Sequence, residues 1–190
     1  MNKGKVFEKD IKDSAKAQNI WILRLNDTSL SWVKEKTARF TPHNVCDFLV
    51  YQKPFLFAWE CKSTTYKSIT VQQEEEGQGM IKLQQIQDLT NLSLFDGVYS
   101  GLILNYRNDE NLLDNHTYYL PIKNFNNFLC EIGKHSINQK DCIEYGGILL
   151  KQEKKRTHYL YDLNKLIEDI TRTPITDFEK EGSKNGDPTL

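Results

Sequence analysis

The amino-acid sequence predicts an α/β fold, with a mixed central β-sheet flanked by helices. Short apolar runs rich in branched and aromatic residues, typical of strands, recur along the chain. Between and around them lie stretches whose apolar residues have helical spacing. The 190 residues, 38% of them hydrophobic, can bury one sizeable core. We therefore predict a single domain over residues 1–172 and a disordered tail over 173–190, which is polar and rich in charge.

The first third of the chain is predicted to contain one helix and three strands. Residues from Gly4 to about Asn19 have helical spacing, and "IWILRL" (20–25) is typical of a strand. Residues 26–44 are polar and basic without a clear period, which favours a projecting arm. Two apolar runs, 45–51 and 55–63, are separated only by "QKP" and are predicted to pair antiparallel at the centre of the sheet.

The remainder of the chain alternates between the same two patterns. A polar segment containing three consecutive glutamates, Glu74 to Glu76, is predicted to be a solvated loop. The later elements are predicted to be a helix within 80–95, strands at 97–107 and 116–122, a helix at 123–134, a basic-tipped hairpin within 146–163 and a last helix at about 163–172.

Composition and charge exclude several classes of protein. Four scattered cysteines without a C-x-x-C pair indicate neither a zinc ribbon nor a disulfide framework. No apolar stretch approaches the roughly 18 residues of a membrane span, and the N-terminus lacks a signal-peptide core. We therefore expect a cytoplasmic protein, of a bacterium or of a virus in its host, with no membrane partner. The net charge of -1 does not by itself predict nucleic-acid binding.

The segment "PFLFAWECKS" ends an apolar run with two opposite charges. Because side chains alternate along a strand, Glu60 and Lys62 share one face while Trp59 and Cys61 point to the other. If the preceding strand lies alongside, Asp47 comes next to Glu60, and two carboxylates that close favour Mg²⁺ or Mn²⁺ between them. Lys62 would then orient a bound water and offset charge on a phosphate. The alternative is a solvated pair at a strand end.

Four short motifs together resemble one nuclease family. An aspartate that opens one apolar run, thirteen positions before an E-x-K that closes the next, resembles the PD-(D/E)XK nuclease superfamily, although "VCD" stands where that superfamily often has Pro-Asp. "NKGKVFE" (2–8), "CDFLV", "FAWECKST" and "LQQIQDL" follow the order of the RecU-like Holliday-junction resolvases. The resemblance covers roughly residues 2–160. It implies a restriction-endonuclease-like fold, a homodimer, and Mg²⁺- or Mn²⁺-dependent nicking of opposed strands in a four-way DNA junction.

The resemblance also implies roles for residues around the charged strand. Asp47 and Glu60 would hold the metal, together with the backbone carbonyl of Cys61 as a further ligand. Lys62 would act on the attacking water.

Two further residues complete the implied catalytic set. Glu8 would support the metal site, although its spacing from Lys12 equally fits a surface ion pair on a helix. Gln85 would position the lysine, the water or the phosphate. Because Gln85 falls on an otherwise apolar helical face, it is also consistent with a buried structural amide.

The candidate DNA-binding residues are basic or aromatic side chains near the N-terminus and in the arm: Lys3, Lys5, Trp32, Lys34, Lys36 and Arg39. Trp32 is predicted to stack on an exposed base, but a core or dimer contact fits equally well. Solvation alone would also explain the lysines.

Three other functions remain open from the sequence. One is a restriction-like or repair endonuclease of the same superfamily that acts on duplex DNA. Another is a recombination accessory protein that binds junctions without cutting them. The third is an interaction module without a DNA role, which would show no salt-dependent DNA binding.

Overall fold

The structure, a computed structural model, describes residues 3–25, 44–75, 77–108, 110–111 and 114–172. The helices in these ranges are α1 (Lys3–Ala17), α2 (Leu83–Leu92), α3 (Ile122–Ile132), α4 (Gln139–Glu144) and α5 (Leu163–Arg172). The strands are β1 (Trp21–Arg24), β2 (Phe48–Gln52), β3 (Phe55–Thr64), β4 (Ser68–Thr70), β5 (Val98–Tyr106), β6 (His116–Pro121), β7 (Ser136–Asn138), β8 (Ile148–Leu149), β9 (Gln152–Lys154) and β10 (Tyr159–Tyr161). None of the described helices is long and apolar enough to cross a bilayer. The predicted arm, apart from Asn44, and the predicted tail lie outside the described residues.

A six-stranded mixed sheet forms the centre, in the order β1-β2-β3-β5-β6-β8. The strand β3 pairs antiparallel with β2 on one side and parallel with β5 on the other. Two small sheets accompany it, one of β4 with β7 and one of β9 with β10. The predicted mixed sheet with flanking helices is confirmed, as is the antiparallel pairing of the two central strands.

Alternate side chains of β3 enter two different cores. Phe57 and Trp59 lie in a cluster with buried residues of α1 and α5. Ala58 lies on the opposite face, in a cluster with buried residues of α2 and α3. Burying a large apolar side chain contributes about 1.5–3 kcal/mol, so these two cores fix the orientation of the strand. The same alternation places Glu60 and Lys62 on one face of the strand, as predicted, and that face is the one covered by α2.

Two elements differ in detail from the prediction. The second helix lies within the predicted segment 80–95 but begins only at Leu83, because the N–H groups of Met80 and Ile81 both donate to the Thr70 carbonyl (3.0 Å each). The predicted hairpin within 146–163 divides between two sheets, since β8 joins β6 in the central sheet while β9 pairs with β10.

A row of polar side chains on α1 fixes this helix to the backbone of β10. The Asp10 carboxylate accepts a hydrogen bond from the Tyr159 N–H (3.0 Å), and Ser14 Oγ accepts one from the Tyr161 N–H (2.9 Å). Gln18 Nε2 donates to the Tyr161 carbonyl (2.6 Å). Asp10 and Ser14, four residues apart, lie on one side of the helix, and Gln18 follows just after its end. They therefore hold α1 in a single register against the rest of the fold.

Replacing Ser14 with alanine is expected to destabilise the protein by about 1–3 kcal/mol, because the Tyr161 N–H would be buried without its acceptor. Urea unfolding followed by circular dichroism measures this change. Lys16→Ala, at an exposed position of the same helix, is the control and should change stability by less than about 0.5 kcal/mol. Equal stability of the two variants would contradict the proposed role of the row.

Candidate active site

The strand β3 is longer than its pairing with β2. In the described part of the chain, its last residues, 60–64, therefore have no strand neighbour on the β2 side. Phe48, the first residue of β2, pairs with Trp59, whereas β5 accompanies β3 on its other edge as far as Thr64. Asp47 lies at this opening. Its carboxylate accepts a hydrogen bond from the Cys61 N–H (2.8 Å), and its own N–H donates to the Trp59 carbonyl (3.1 Å). The Asp47 side chain therefore takes the place of a neighbouring strand as the acceptor for the Cys61 N–H.

The Glu60 carboxylate is the buried centre of the site, with 3% of the side chain exposed. Lys62 Nζ lies 2.8 Å from Glu60 Oε1, and Gln85 Nε2 donates to the same oxygen at 2.5 Å. A buried carboxylate is costly unless it is paired and hydrogen-bonded, and both requirements are met here. Both contacts are made to Oε1 of Glu60, and neither involves Oε2 of the same carboxylate.

The amide of Gln85 is held at both ends. Its Oε1 accepts a hydrogen bond from the Lys82 N–H at the start of α2 (3.0 Å), while its Nε2 contacts Glu60. An amide has separate donor and acceptor ends, so these two contacts define its orientation. Gln85 is half-buried, and its side chain both caps the helix and reaches Glu60, so its role in catalysis stays a prediction.

The acidic loop before α2 is tied down by Gln72. The side-chain amide of Gln72 donates to the carbonyls of Glu74 and Glu75 (2.7 Å each) and accepts from the Leu83 N–H (3.3 Å). A Cβ at Gly79 would lie 2.3 Å from the Gln72 nitrogen, so the loop needs glycine there. The side chains of Glu74 and Glu75 are exposed, as predicted. The loop is therefore ordered around the first turn of the helix that carries Gln85.

Glu8 approaches the site from α1 and is paired with Arg24, at the end of β1. Arg24 Nε donates to Glu8 Oε2 (2.8 Å), and Arg24 Nη2 contacts the same oxygen. Lys12, the alternative partner that the helical spacing suggests, is not the one that forms this pair, and the only sequence signal for Arg24 is a basic residue within the apolar run 20–25. The groove around this pair is lined by lysines of α1: Lys5, Lys9 and Lys12.

The electrostatics of the site favour uptake of either a proton or a cation. Burial, followed by the charge of Glu60, raises the pKa of Asp47 from 3.8 to about 7, with the Cys61 N–H acting in the opposite direction. Burial also raises the pKa of Glu60, against the charge of Lys62 and hydrogen bonds with Lys62 and Asp47. Two carboxyl groups in such contact do not both ionise readily without a positive charge between them.

The oxygen donors at this position fit a hydrated divalent cation. Asp47 and Glu60 supply two carboxylates, and the Cys61 carbonyl points to the same strand edge as the Cys61 N–H, which meets Asp47. Among the described residues, no three His, Cys, Asp or Glu side chains are grouped to hold a metal by themselves. Mg²⁺ commonly retains several waters and takes only one or two carboxylates. The donor set therefore fits a hydrated Mg²⁺ or Mn²⁺ ion.

The structure brings four of the five predicted catalytic side chains into one hydrogen-bonded group: Asp47, Glu60, Lys62 and Gln85. Glu8 acts on this group through its charge, which contributes to the raised pKa values of both carboxyl groups. Of the predicted DNA contacts, Lys3 and Lys5 are exposed at the start of α1. The others, Trp32, Lys34, Lys36 and Arg39, lie outside the described residues.

Comparisons with known proteins give one relative in sequence and a likeness in overall structure. No protein-family model matches the chain. The chain is 29% identical over 183 residues to YotM, an SPbeta prophage-derived uncharacterized protein of Bacillus subtilis (strain 168), over 90% of this chain and 88% of the relative. The structure aligns with Hjc, a Holliday junction resolvase from the archaeal hyperthermophile Archaeoglobus fulgidus, with a TM-score of 0.48 and 14% sequence identity. That alignment covers 77% of this chain and 95% of the other. The chemistry of the site itself therefore carries the assignment of function.

Proposed function

We propose that this protein is a metal-dependent, structure-selective DNA endonuclease that resolves four-way junctions. The observation that carries the proposal is the contact of the buried Glu60 carboxyl group with the partly buried Asp47 carboxyl group, with a lysine ammonium 2.8 Å from Glu60 at an open strand edge. This arrangement combines hard ligands for a divalent cation with a fixed positive charge. Both would stabilise the negative charge that builds up on the phosphate during hydrolysis of a phosphodiester.

Each protein group has a distinct part in this chemistry. Mg²⁺ or Mn²⁺, held by Asp47, Glu60 and the Cys61 carbonyl, would polarise a phosphate oxygen and make a bound water more acidic. Lys62, with 15% of its side chain exposed, presents N–H donors to the attacking water and to the phosphate. Glu60 holds the Lys62 ammonium in place, and Gln85 holds Glu60.

Selectivity for four-way junctions and a homodimeric state are the finer parts of the proposal. They are supported by the ordered resemblance of the four sequence motifs to the RecU-like resolvases. A homodimer would place one site on each of two opposed strands, so that paired nicks separate the joined duplexes. The proposed DNA contacts are the basic surface that begins with Lys3 and Lys5 and the predicted arm.

The proposal is tested by incubating the protein with a labelled four-way junction and with a duplex of matching sequence, in Mg²⁺, in Mn²⁺ and in EDTA. We expect symmetric nicks in the junction only, and none in EDTA. Equal cutting of the duplex would indicate a general endonuclease of the same superfamily. Junction binding without cutting in either metal would indicate a non-cleaving junction-binding protein.

Replacing Gln85 with alanine is expected to lower cleavage and Mn²⁺ affinity by about 10–100-fold, the usual effect of losing a group that orients a metal ligand. Removal of the amide takes one hydrogen bond from the Glu60 carboxylate and leaves the Lys82 N–H without its side-chain acceptor. Calorimetric titration with Mn²⁺ provides a readout that does not depend on activity. Gln87→Ala, at an exposed position of the same helix, is the matched control and should behave as the wild type.

A further inference from the structure

A second cavity lies beyond the metal site, where the parallel strands β3 and β5 end side by side. It has a volume of about 470 Å³, and Tyr66, Lys67, Arg107, Asn108 and Asp114 are among its lining residues. The N–H of Arg107 donates to the carbonyl of Thr64, the last residue of β3 (2.8 Å). The cavity is thus built directly on the end of the strand that carries Glu60 and Lys62.

Tyr66 is held in an exposed position by an ordered loop. Its side chain is 79% exposed, more than any other large hydrophobic side chain among the described residues. Its N–H donates to Thr64 Oγ1 (3.0 Å), and β4, which starts two residues later at Ser68, pairs with β7. The backbone on both sides of Tyr66 is therefore anchored while one aromatic ring faces solvent.

The chemistry around this ring suits a nucleobase better than a phosphate. The positive charges of Lys67 and Arg107 are balanced by Glu110 and Asp114 in the same lining, so the cavity has no net attraction for an anion. It offers an aromatic face together with hydrogen-bond donors and acceptors. Bases stack on aromatic side chains irrespective of sequence, and carboxylates accept hydrogen bonds from the amino groups of bases.

The distance to the metal site is short enough for one DNA strand to occupy both. Lys62 and Tyr66 are four positions apart, which corresponds to at most about 13 Å of extended chain. This length equals the rise of about four nucleotides in one strand. Lys62 pairs with Leu104 in the sheet, and Tyr106, two residues further along the same face, lines the cavity. Both sites therefore lie along the same pair of neighbouring strands.

We propose that this cavity binds an unpaired base of branched DNA within about four nucleotides of the phosphate that is cut, with the base stacked on Tyr66. The inference rests on the proposed nuclease function, for which it names a substrate contact. Such a site would favour junctions over fully paired duplex, because opening a pair at a branch point costs less than within a continuous helix.

The test uses four-way junctions carrying 2-aminopurine at successive positions up to four nucleotides from the crossover. Binding is measured in EDTA for the wild type, Tyr66→Ala and Tyr66→Phe. We expect fluorescence quenching at one or two positions with the wild type and with Tyr66→Phe, and no quenching with Tyr66→Ala. Tyr66→Ala should also bind the junction about 5- to 100-fold more weakly.

Phe95→Ala is the matched control, since Phe95 is 65% exposed but precedes the opposite end of β5. It should bind and quench as the wild type does. Wild-type-like binding and quenching by Tyr66→Ala would overturn the base site while leaving junction cleavage untouched. Conversely, loss of quenching in Tyr66→Ala, with a wild type that binds junctions but cuts no DNA in Mg²⁺ or Mn²⁺, would support the base site and reject the nuclease function.

Discussion

Replacing Glu60 with glutamine is expected to abolish metal-dependent cleavage of the junction while leaving the fold intact. Glutamine has nearly the same volume, and its carbonyl oxygen still accepts hydrogen bonds from Lys62 and Gln85. It removes the negative charge that would help to hold the cation. Loss of a residue that only orients a metal ligand typically lowers metal affinity or activity by about 10–100-fold. Loss of a ligand itself should therefore reduce the cleavage rate by more than about a hundredfold.

Junction binding by the Glu60→Gln protein in EDTA should be as strong as, or stronger than, that of the wild type, because a negative charge near the phosphates is gone. Gel-shift titration measures this binding separately from cleavage. Glu144→Gln makes the same chemical change at an exposed position on α4 and should leave both properties unchanged. A Glu60→Gln enzyme with more than a tenth of wild-type activity would contradict the proposed role of this carboxylate.

Replacing Asp47 with asparagine is expected to increase stability at alkaline pH in the absence of metal. Burial and the neighbouring Glu60 raise the pKa of Asp47 in the folded protein from 3.8 to about 7. The folded state therefore binds this proton more tightly than the unfolded state, and stability falls as the pH rises through this window. This loss of folding stability is complete above the folded-state pKa and amounts to about a few kcal/mol at most.

Asparagine cannot ionise, yet its side-chain oxygen can still accept the hydrogen bond from the Cys61 N–H. It also removes the negative charge that Asp47 places beside Glu60 at alkaline pH. Urea unfolding at pH 5 and pH 8 in EDTA should show a smaller pH dependence for Asp47→Asn than for the wild type. Asp96→Asn, at an exposed position, is the control.

Addition of Mn²⁺ at pH 8 should reverse the difference between these two proteins. A cation that binds only the folded state stabilises it by an amount that grows with the ratio of cation concentration to Kd, whereas Asp47→Asn has lost one of the two carboxylates. We therefore expect Mn²⁺ to raise the melting temperature of the wild type only. Equal shifts for both proteins would show that the cation binds elsewhere.

The arrangement around β3 follows from local sequence to a large extent. Alternation along "PFLFAWECKS" places Glu60 and Lys62 on one face in any strand, and the short "QKP" connection brings Asp47 to the same level. The helical spacing in "LQQIQDL" likewise directs Gln85 towards the sheet. These are short-range patterns, and each depends on the geometry of one strand, one turn or one helix.

Other contacts of the site depend on long-range packing that no local pattern encodes. Arg24 reaches Glu8 because β1 returns beside α1, and the separation of 16 residues has no sequence signature. Gln72 lies 11 residues before its partner Leu83 and orders a loop whose composition indicates only exposure to solvent. In both cases the sequence contains other polar side chains of the same types, so it does not indicate which of them forms the contact.

The sequence by itself determined the fold class, the faces of the central strands and the residue types from which a metal-dependent nuclease site can be built. These depend on periodicity and on the chemistry of single side chains. Only the tertiary structure decided that the Asp47 and Glu60 carboxyl groups are in contact, that burial raises both pKa values, and that Gln85 and Lys62 converge on one oxygen. The physical reason is that burial and distance belong to the packed chain, because several distant elements together exclude water from the site.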